Sequence, residues 1–276
     1  MKFGIATFVT DEGIRPDVLG RALEERGFDS LFLAEHSHIP TSRETPYPGG
    51  GELPRVYYRT LDPFVALTAA GGATNDLLLA TGIALLPQRD LIHTAKLVAS
   101  LDYLSDGRVA FGVGAGWNRE EMRNHGVEPR TRGALMDEQL AALKTIWTQD
   151  EAEFHGKYVN FDPIYSWPKP VQKPHPPIYL GGESRAALNR LLRYGDAWLP
   201  RAHTSPEEMR RVRQWLADNG RPDVPFTVFG AGTEQAELAG YREADVERVT
   251  FMLDTLPEAE TLETLDRLAK IADAHR

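Results

Sequence analysis

The chain has 276 residues, 42% of them hydrophobic, which is enough for a large core and fits the roughly 250 residues of a (β/α)8 barrel. Lys+Arg 31 against Asp+Glu 40 leaves a net charge of −9, which disfavours nucleic acid and acidic membrane surfaces as partners. With no cysteine, disulfides, thiolate metal sites and a Cys nucleophile are excluded, and the composition fits a reducing cytoplasm.

Lys2 to Val9 reads as a first strand, and the N-terminal MKFGIATFVTDEG lacks the long apolar run of a signal peptide. Pro16 to Arg26 reads as a helix closed by Gly27, and Asp29 to Glu35 as a second strand. The segment His36 to Leu61 is long, irregular and rich in Pro, Gly and Tyr, as expected of an ordered lid. Asp62-Pro63 opens a helix, Leu77 to Leu86 is the third strand, and Asp90 to Leu104 is an apolar helix. Arg108 to Val113 is a buried fourth strand that runs into Gly112, Gly114 and Gly116, then Trp117 and Asn118, and Arg119-Glu120-Glu121 opens a polar helix. Arg132 to Thr148 is a long amphipathic helix. Asp150 to Pro177, with its aromatics and prolines, departs from the alternation. Pro177 to Leu180 resumes it as a fifth strand, followed by Gly181-Gly182 and a helix over Ser184 to Tyr194. Asp196 to Pro200 is a strand, Ser205-Pro206-Glu207-Glu208 starts a helix, and the segments 226–230, 233–240, 249–253 and 258–274 complete the pattern. Eight strands alternating with helices predict a single α/β domain over 1–276. The predicted fold is a (β/α)8 TIM barrel with insertions after strand two and before strand five. No stretch approaches the roughly 18 uninterrupted apolar residues of a membrane span.

Active sites in such barrels lie at the carboxyl ends of the strands. At the end of strand two stand Glu35, His36 and His38; His36 is the side chain able to exchange a proton near neutrality. The glycines after strand four leave the backbone open to a flat ligand, with Gly114, Gly116 and Trp117 as candidate cofactor contacts. Thr81-Gly82-Ile83-Ala84 would face the same ring as an apolar wall. Gly181 and Gly182 before a helix start, with the hydroxyl of Ser184, form a candidate phosphate cradle, although Ser184 is equally a helix N-cap. No Rossmann fingerprint and no Gly-Lys-Ser/Thr loop is present. The His-x-His pair with Asp254 invites a metal-hydrolase reading, but nothing at the ends of strands four or five completes such a site, so no metal is expected.

Taken together, Ala34-Glu35-His36, Leu79 to Gly82, Pro87-Gln88-Arg89, the run Ala99 to Arg108 with GVGAGW, Pro168 to Gln172 and Pro176 to Gly182 resemble the luciferase-like monooxygenase family, in particular its F420-dependent oxidoreductase branch. The resemblance implies a flavin or deazaflavin at the strand ends, with its phosphate on Gly181, Gly182 and Ser184. It places the ring against Gly82–Ile83, where relatives often carry a non-prolyl cis peptide. It implies that His36 transfers a proton and that Glu35 orients or tunes it. Trp117 stands where some F420 enzymes carry a catalytic Glu. FMN-using relatives commonly place an Arg just past the strand-four glycines; here only Arg119 is near.

The expected function is hydride transfer between F420 and a small, fairly apolar organic substrate, with Tyr47, Tyr57, Tyr58 and His203 as weaker candidates for substrate contact. One alternative is an FMN-dependent monooxygenase using oxygen and a separate flavin reductase. Another is a non-catalytic deazaflavin or flavin binder. By resemblance alone, a homodimer is expected.

Overall fold

A computed structural model describes residues 1–276. The first strand, β1 (Lys2–Thr7), is followed by α1 (Pro16–Glu25), β2 (Ser30–Leu33), the one-turn α2 (Val56–Arg59), α3 (Pro63–Gly71), β3 (Leu78–Thr81), β4 (Ala84–Leu85) and α4 (Leu91–Leu104). Then come β5 (Val109–Gly114), α5 (Arg119–Asn124), α6 (Arg132–Thr148), β6 (Glu151–His155), β7 (Asn160–Tyr165), β8 (Ile178–Gly181), α7 (Arg185–Tyr194) and β9 (Ala197–Leu199). The chain ends with α8 (Pro206–Asp218), β10 (Thr227–Ala231), α9 (Gln235–Glu243), β11 (Arg248–Leu253) and α10 (Glu258–Ala274).

The main sheet runs in the order β10-β11-β1-β2-β3-β5-β8-β9, and all its pairings are parallel. Parallel bridges Trp198↔Phe226 and Arg201↔Phe229 join β9 to β10 and close the ring. The predicted (β/α)8 barrel is therefore the architecture. Pairing and helix packing bury the strands on both faces, which is why β2, β5 and β9 read as continuous apolar runs.

The lumen is filled by alternating small and large side chains: Ala6, Ala80, Ala110 and Ala197 leave room for Phe32, Tyr179 and Leu199. At its amino-terminal end the buried Arg248 seals it, donating to Asp29 (2.8 Å) and to the Tyr179 hydroxyl (3.3 Å). The outer core lies between strands and helices.

Several helix starts follow their sequence signals. Asp62 caps α3 by accepting from Phe64 and Val65 N–H, Asp90 caps α4 through His93 N–H, and Ser205 caps α8 through Glu208 N–H. The third strand is shorter than expected. Leu77 to Leu86 breaks at Gly82–Ile83, a cis peptide, and only Ala84–Leu85 resumes pairing, with Val113 and Gly114. The insertion before β8 is a hairpin, β6–β7, antiparallel and packed on α6. No helix is long and apolar enough to cross a membrane.

Candidate active site

A cleft of about 910 Å³ opens at the carboxyl ends of the barrel strands, within the size range of small-molecule sites. Phe8 after β1, His36 after β2, Ile83 after β3, Trp117 after β5, Ser184 after β8, and Phe229 and Met252 on β10 and β11 all line it. The structure brings Glu35, His36, Gly82, Ile83, Gly114, Gly116, Trp117, Gly181, Gly182 and Ser184 to this one cleft. Tyr47, Tyr57 and His203 line it as well, whereas Tyr58 is absent from its wall and 53% exposed.

At one end stands His36, 7% exposed, with Nδ1 2.9 Å from Oε2 of the fully buried Glu121. Nδ1 is thereby committed to the carboxylate, and Nε2 is the nitrogen left for a ligand. Glu121 reaches this position because α5 starts right after the β5 glycines. Asn118 Oδ1 accepts from Glu121 N–H (3.4 Å) and caps that helix. The polar helix expected here thus turns its first two carboxylates inward. Glu120 is also buried, accepting from Thr45 N–H (2.6 Å) and Thr45 Oγ1 (2.5 Å), which ties the lid segment to α5.

Glu35 is engaged elsewhere. One oxygen takes the guanidinium of Arg89 and the other accepts from Leu85 N–H at 2.7 Å. The carboxylate at the His36 ring is therefore Glu121 and not the sequence neighbour, because residue 35 projects from the strand end towards the β4 segment. Arg89 is largely buried, with its guanidinium over the Phe64 ring at 4.6 Å, and burial pulls it below the ordinary value.

At the other end, Ser184 Oγ accepts from Ala187 N–H (3.2 Å) as the N-cap of α7. Gly182 holds φ +104, and a Cβ there would sit 3.3 Å from Ala187 Cβ, so the loop needs glycine. Trp198 Nε1 donates to Gly182 O (3.0 Å) and pins this turn. Arg132 and Arg190 line the same end; Arg190 is held by Asp137 and donates to Gly133 O (3.0 Å). Glu183 is paired with Arg201 (2.9 Å); burial raises its carboxyl, but the guanidinium outweighs that and holds it below its ordinary value.

The strand-four glycines do less for a ligand than their sequence implies. A Cβ on Gly112 would lie 1.9 Å from Thr81 O, so that glycine serves the contact between neighbouring strands. A Cβ on Gly114 would lie 1.9 Å from Ile83 Cδ1, and one on Gly181 3.3 Å from Ile83 Cγ2. Ile83 is seated between these two glycines and forms the apolar floor itself.

These residues fit a flavin-type group. The cleft offers an apolar floor at Ile83, the Ser184-capped N-terminus of α7 and two arginines at one end, and a buried imidazole at the other. Sequence reasoning missed Glu121, Arg132 and Arg190. Glu121 follows Gly116 by five residues at the start of a polar helix, the one signal that could have found it. His36, His38 and Asp254 do not assemble as ligands, since no group of three or more His, Cys, Asp or Glu side chains is placed to hold a metal.

Comparison with known proteins agrees with this fold. The chain is 37% identical over 276 residues to the uncharacterized protein Rv0953c of Mycobacterium tuberculosis, covering 98% of each. It is 42% identical over 105 residues to an FMNH(2)-dependent dimethylsulfone monooxygenase of Pseudomonas putida, covering 37% of this chain and 29% of that one. An F420-dependent secondary alcohol dehydrogenase, solved with an F420–acetone adduct, shares the fold with a TM-score of 0.77 at 18% identity over the whole of both chains. The family described as luciferase-like monooxygenase matches residues 18–239. With a barrel of this topology, a cleft at its strand ends and a match across most of its length, the chain belongs to the luciferase-like monooxygenase family.

Proposed function

We propose that this chain is an oxidoreductase that moves a hydride between coenzyme F420 and a small, largely apolar organic substrate. The observation that carries the reading is the buried His36–Glu121 pair at one end of a cleft whose other end offers the Gly181–Gly182 turn, the Ser184 hydroxyl, Arg132 and Arg190. The bound deazaflavin would supply the hydride chemistry. Gly181, Gly182, Ser184, Arg132 and Arg190 would hold its phosphate, and Gly82, Ile83, Gly114, Gly116 and Trp117 would line its ring. His36 Nε2 would give a proton to, or take one from, the substrate oxygen, while Glu121 holds Nδ1. Glu35 would act from behind, by holding Arg89 and the β4 segment.

Two features support F420 over FMN. Arg119, the arginine nearest the β5 glycines, does not line the main cleft; it lines an adjoining recess of about 390 Å³ with Arg123 and Arg132. The recess also holds Glu120 and Glu44, the latter 3.6 Å from Arg123, and its remaining arginines, Arg119 and Arg132, suit a cofactor whose tail ends in carboxylates. The match to an FMNH(2)-dependent monooxygenase favours the alternative, an FMN enzyme using oxygen and a reductase partner.

Titration of the purified protein with F420 and, separately, FMN, followed by cofactor fluorescence, tests the reading. Preferential F420 binding is expected; a preference for FMN moves the assignment to a monooxygenase, and binding of neither removes the cofactor reading. In the F420 enzyme, His36→Ala is expected to lower turnover far more than cofactor affinity, and equal losses of both would sink the proton-transfer role.

We also propose a homodimer. Val65 on α3 and Ile92, Leu97, Tyr103 and Leu104 on α4 are exposed although large and apolar. Sedimentation should give twice the chain mass, and Leu104→Glu with Val65→Glu should return it to the monomer.

A further inference from the structure

Around His36 four aromatic side chains form a connected wall. Tyr57 lies against His36 (centroids 5.1 Å apart) and against Phe8 (4.6 Å). Tyr47 meets Tyr57 at 5.4 Å and Trp117 at 6.1 Å, and Trp117 returns to His36 at 5.8 Å. All of these line the main cleft. The four are tyrosine, phenylalanine and tryptophan rings, and Arg201, the cation that bears on Tyr57, is paired with Glu183.

Within this apolar wall two hydroxyls are poorly satisfied, those of Tyr57 and Tyr47, and Tyr57 is the one whose ring lies against His36. The Tyr57 hydroxyl has only the Tyr47 hydroxyl as partner, at 3.4 Å, well beyond the usual 2.5–3.0 Å or so of an O–H···O bond. A half-buried donor with so weak a partner is free to turn to a ligand oxygen. We infer that Tyr57 is a substrate-binding donor, holding the oxygen of a compact, uncharged alcohol or ketone beside His36 Nε2. The inference rests on the reading of His36 as the proton-transfer group. Burial, and next the Tyr47 hydroxyl, push the Tyr57 phenol above its ordinary value, so it remains a donor throughout the working pH range. Tyr47, as the acceptor in the pair, releases Tyr57 when substrate enters. A neutral oxygen on an apolar body satisfies both the rings and the hydroxyl.

Cyclohexanone and methylenecyclohexane are nearly the same shape and differ in the oxygen, so they isolate the donor. Their affinities would be measured by calorimetry on the protein saturated with whichever of F420 and FMN it binds, and again without cofactor. The ketone is expected to bind about tenfold more tightly than the alkene. Tyr57→Phe, which keeps the ring on Phe8 and His36, should reduce that preference to about twofold or less and leave alkene affinity unchanged. Tyr47→Phe should retain the preference. A preference that survives Tyr57→Phe, or is lost with Tyr47→Phe instead, overturns the assignment, as does failure of both probes to bind. Failure of both cofactors to bind removes the hydride-transfer reading alone, because the ketone preference of the cofactor-free protein is decided separately.

Discussion

Glu121 and Glu35 illustrate how two carboxylates near one histidine divide their work. Glu121 is fully buried and touches the imidazole at 2.9 Å, so it fixes the ring and offers a positive imidazole its counter-charge. A glutamine can still accept from Nδ1 but carries no charge. Glu121→Gln should therefore lower kcat by about 10²-fold while cofactor affinity measured by fluorescence stays near native. Glu35 instead neutralises Arg89, both being largely buried. Glu35→Gln leaves that guanidinium with only the more distant Asp62, at 3.8 Å, and the expected result is a loss on the order of 3 kcal/mol in denaturant unfolding. If Glu121→Gln lost the stability and Glu35→Gln only the turnover, the division of roles would be reversed.

At the scale of elements, the lid segment between β2 and α3 is held by named contacts and not by a core of its own. Arg55 pairs with Glu12 (2.6 Å) at its far end, and Glu120 accepts twice from Thr45 at its near end. Tyr47 and Tyr57 both belong to this segment, so the latch also places the aromatic wall. Burial opposes the Glu120 charge, but the Thr45 hydrogen bonds outweigh it and hold the carboxyl below its ordinary value of 4.5. A carboxyl lowered on folding stabilises fully above the unfolded-state value, and that contribution is lost as pH falls through the lowered one. Limited proteolysis within residues 41–52 should thus be slow at neutral pH and accelerate below about pH 4. In Glu120→Gln it should be fast at both, and identical pH profiles for the two proteins would remove the latch. Glu138 performs a comparable task on the β6–β7 turn by accepting from the N–H groups of Lys157, Tyr158 and Val159.

For the whole molecule, closure of the barrel depends on contacts too close for any side chain. Gly112 lies against Thr81, whose Oγ1 also donates to Gly112 O at 2.6 Å. A methyl at this position meets backbone on the adjoining strand, which cannot retreat without opening the wall. Gly112→Ala is expected to destabilise by on the order of 3 kcal/mol, read as a lower midpoint in urea, with loss of cofactor binding because Gly82–Ile83 follows Thr81 directly. An unchanged midpoint would show that the strands can part at this point.

The barrel was legible in the sequence because burial on both faces imposes uninterrupted apolar strands, and the helices between them carry their own caps at Asp62, Asp90, Ser184 and Ser205. That periodicity is local, and so is the rule that ligands gather at strand ends; together they pointed to His36, Ile83, Trp117 and the Gly181–Ser184 turn as neighbours of one cleft. What local pattern cannot carry is which side chain meets which across the strand ends. The pairing of His36 with a carboxylate 85 residues away, the diversion of Glu35 to Arg89, and the seating of Ile83 between Gly114 and Gly181 all depend on strand register and on where α5 begins. Only the closed barrel, which sets those registers all at once, decided them.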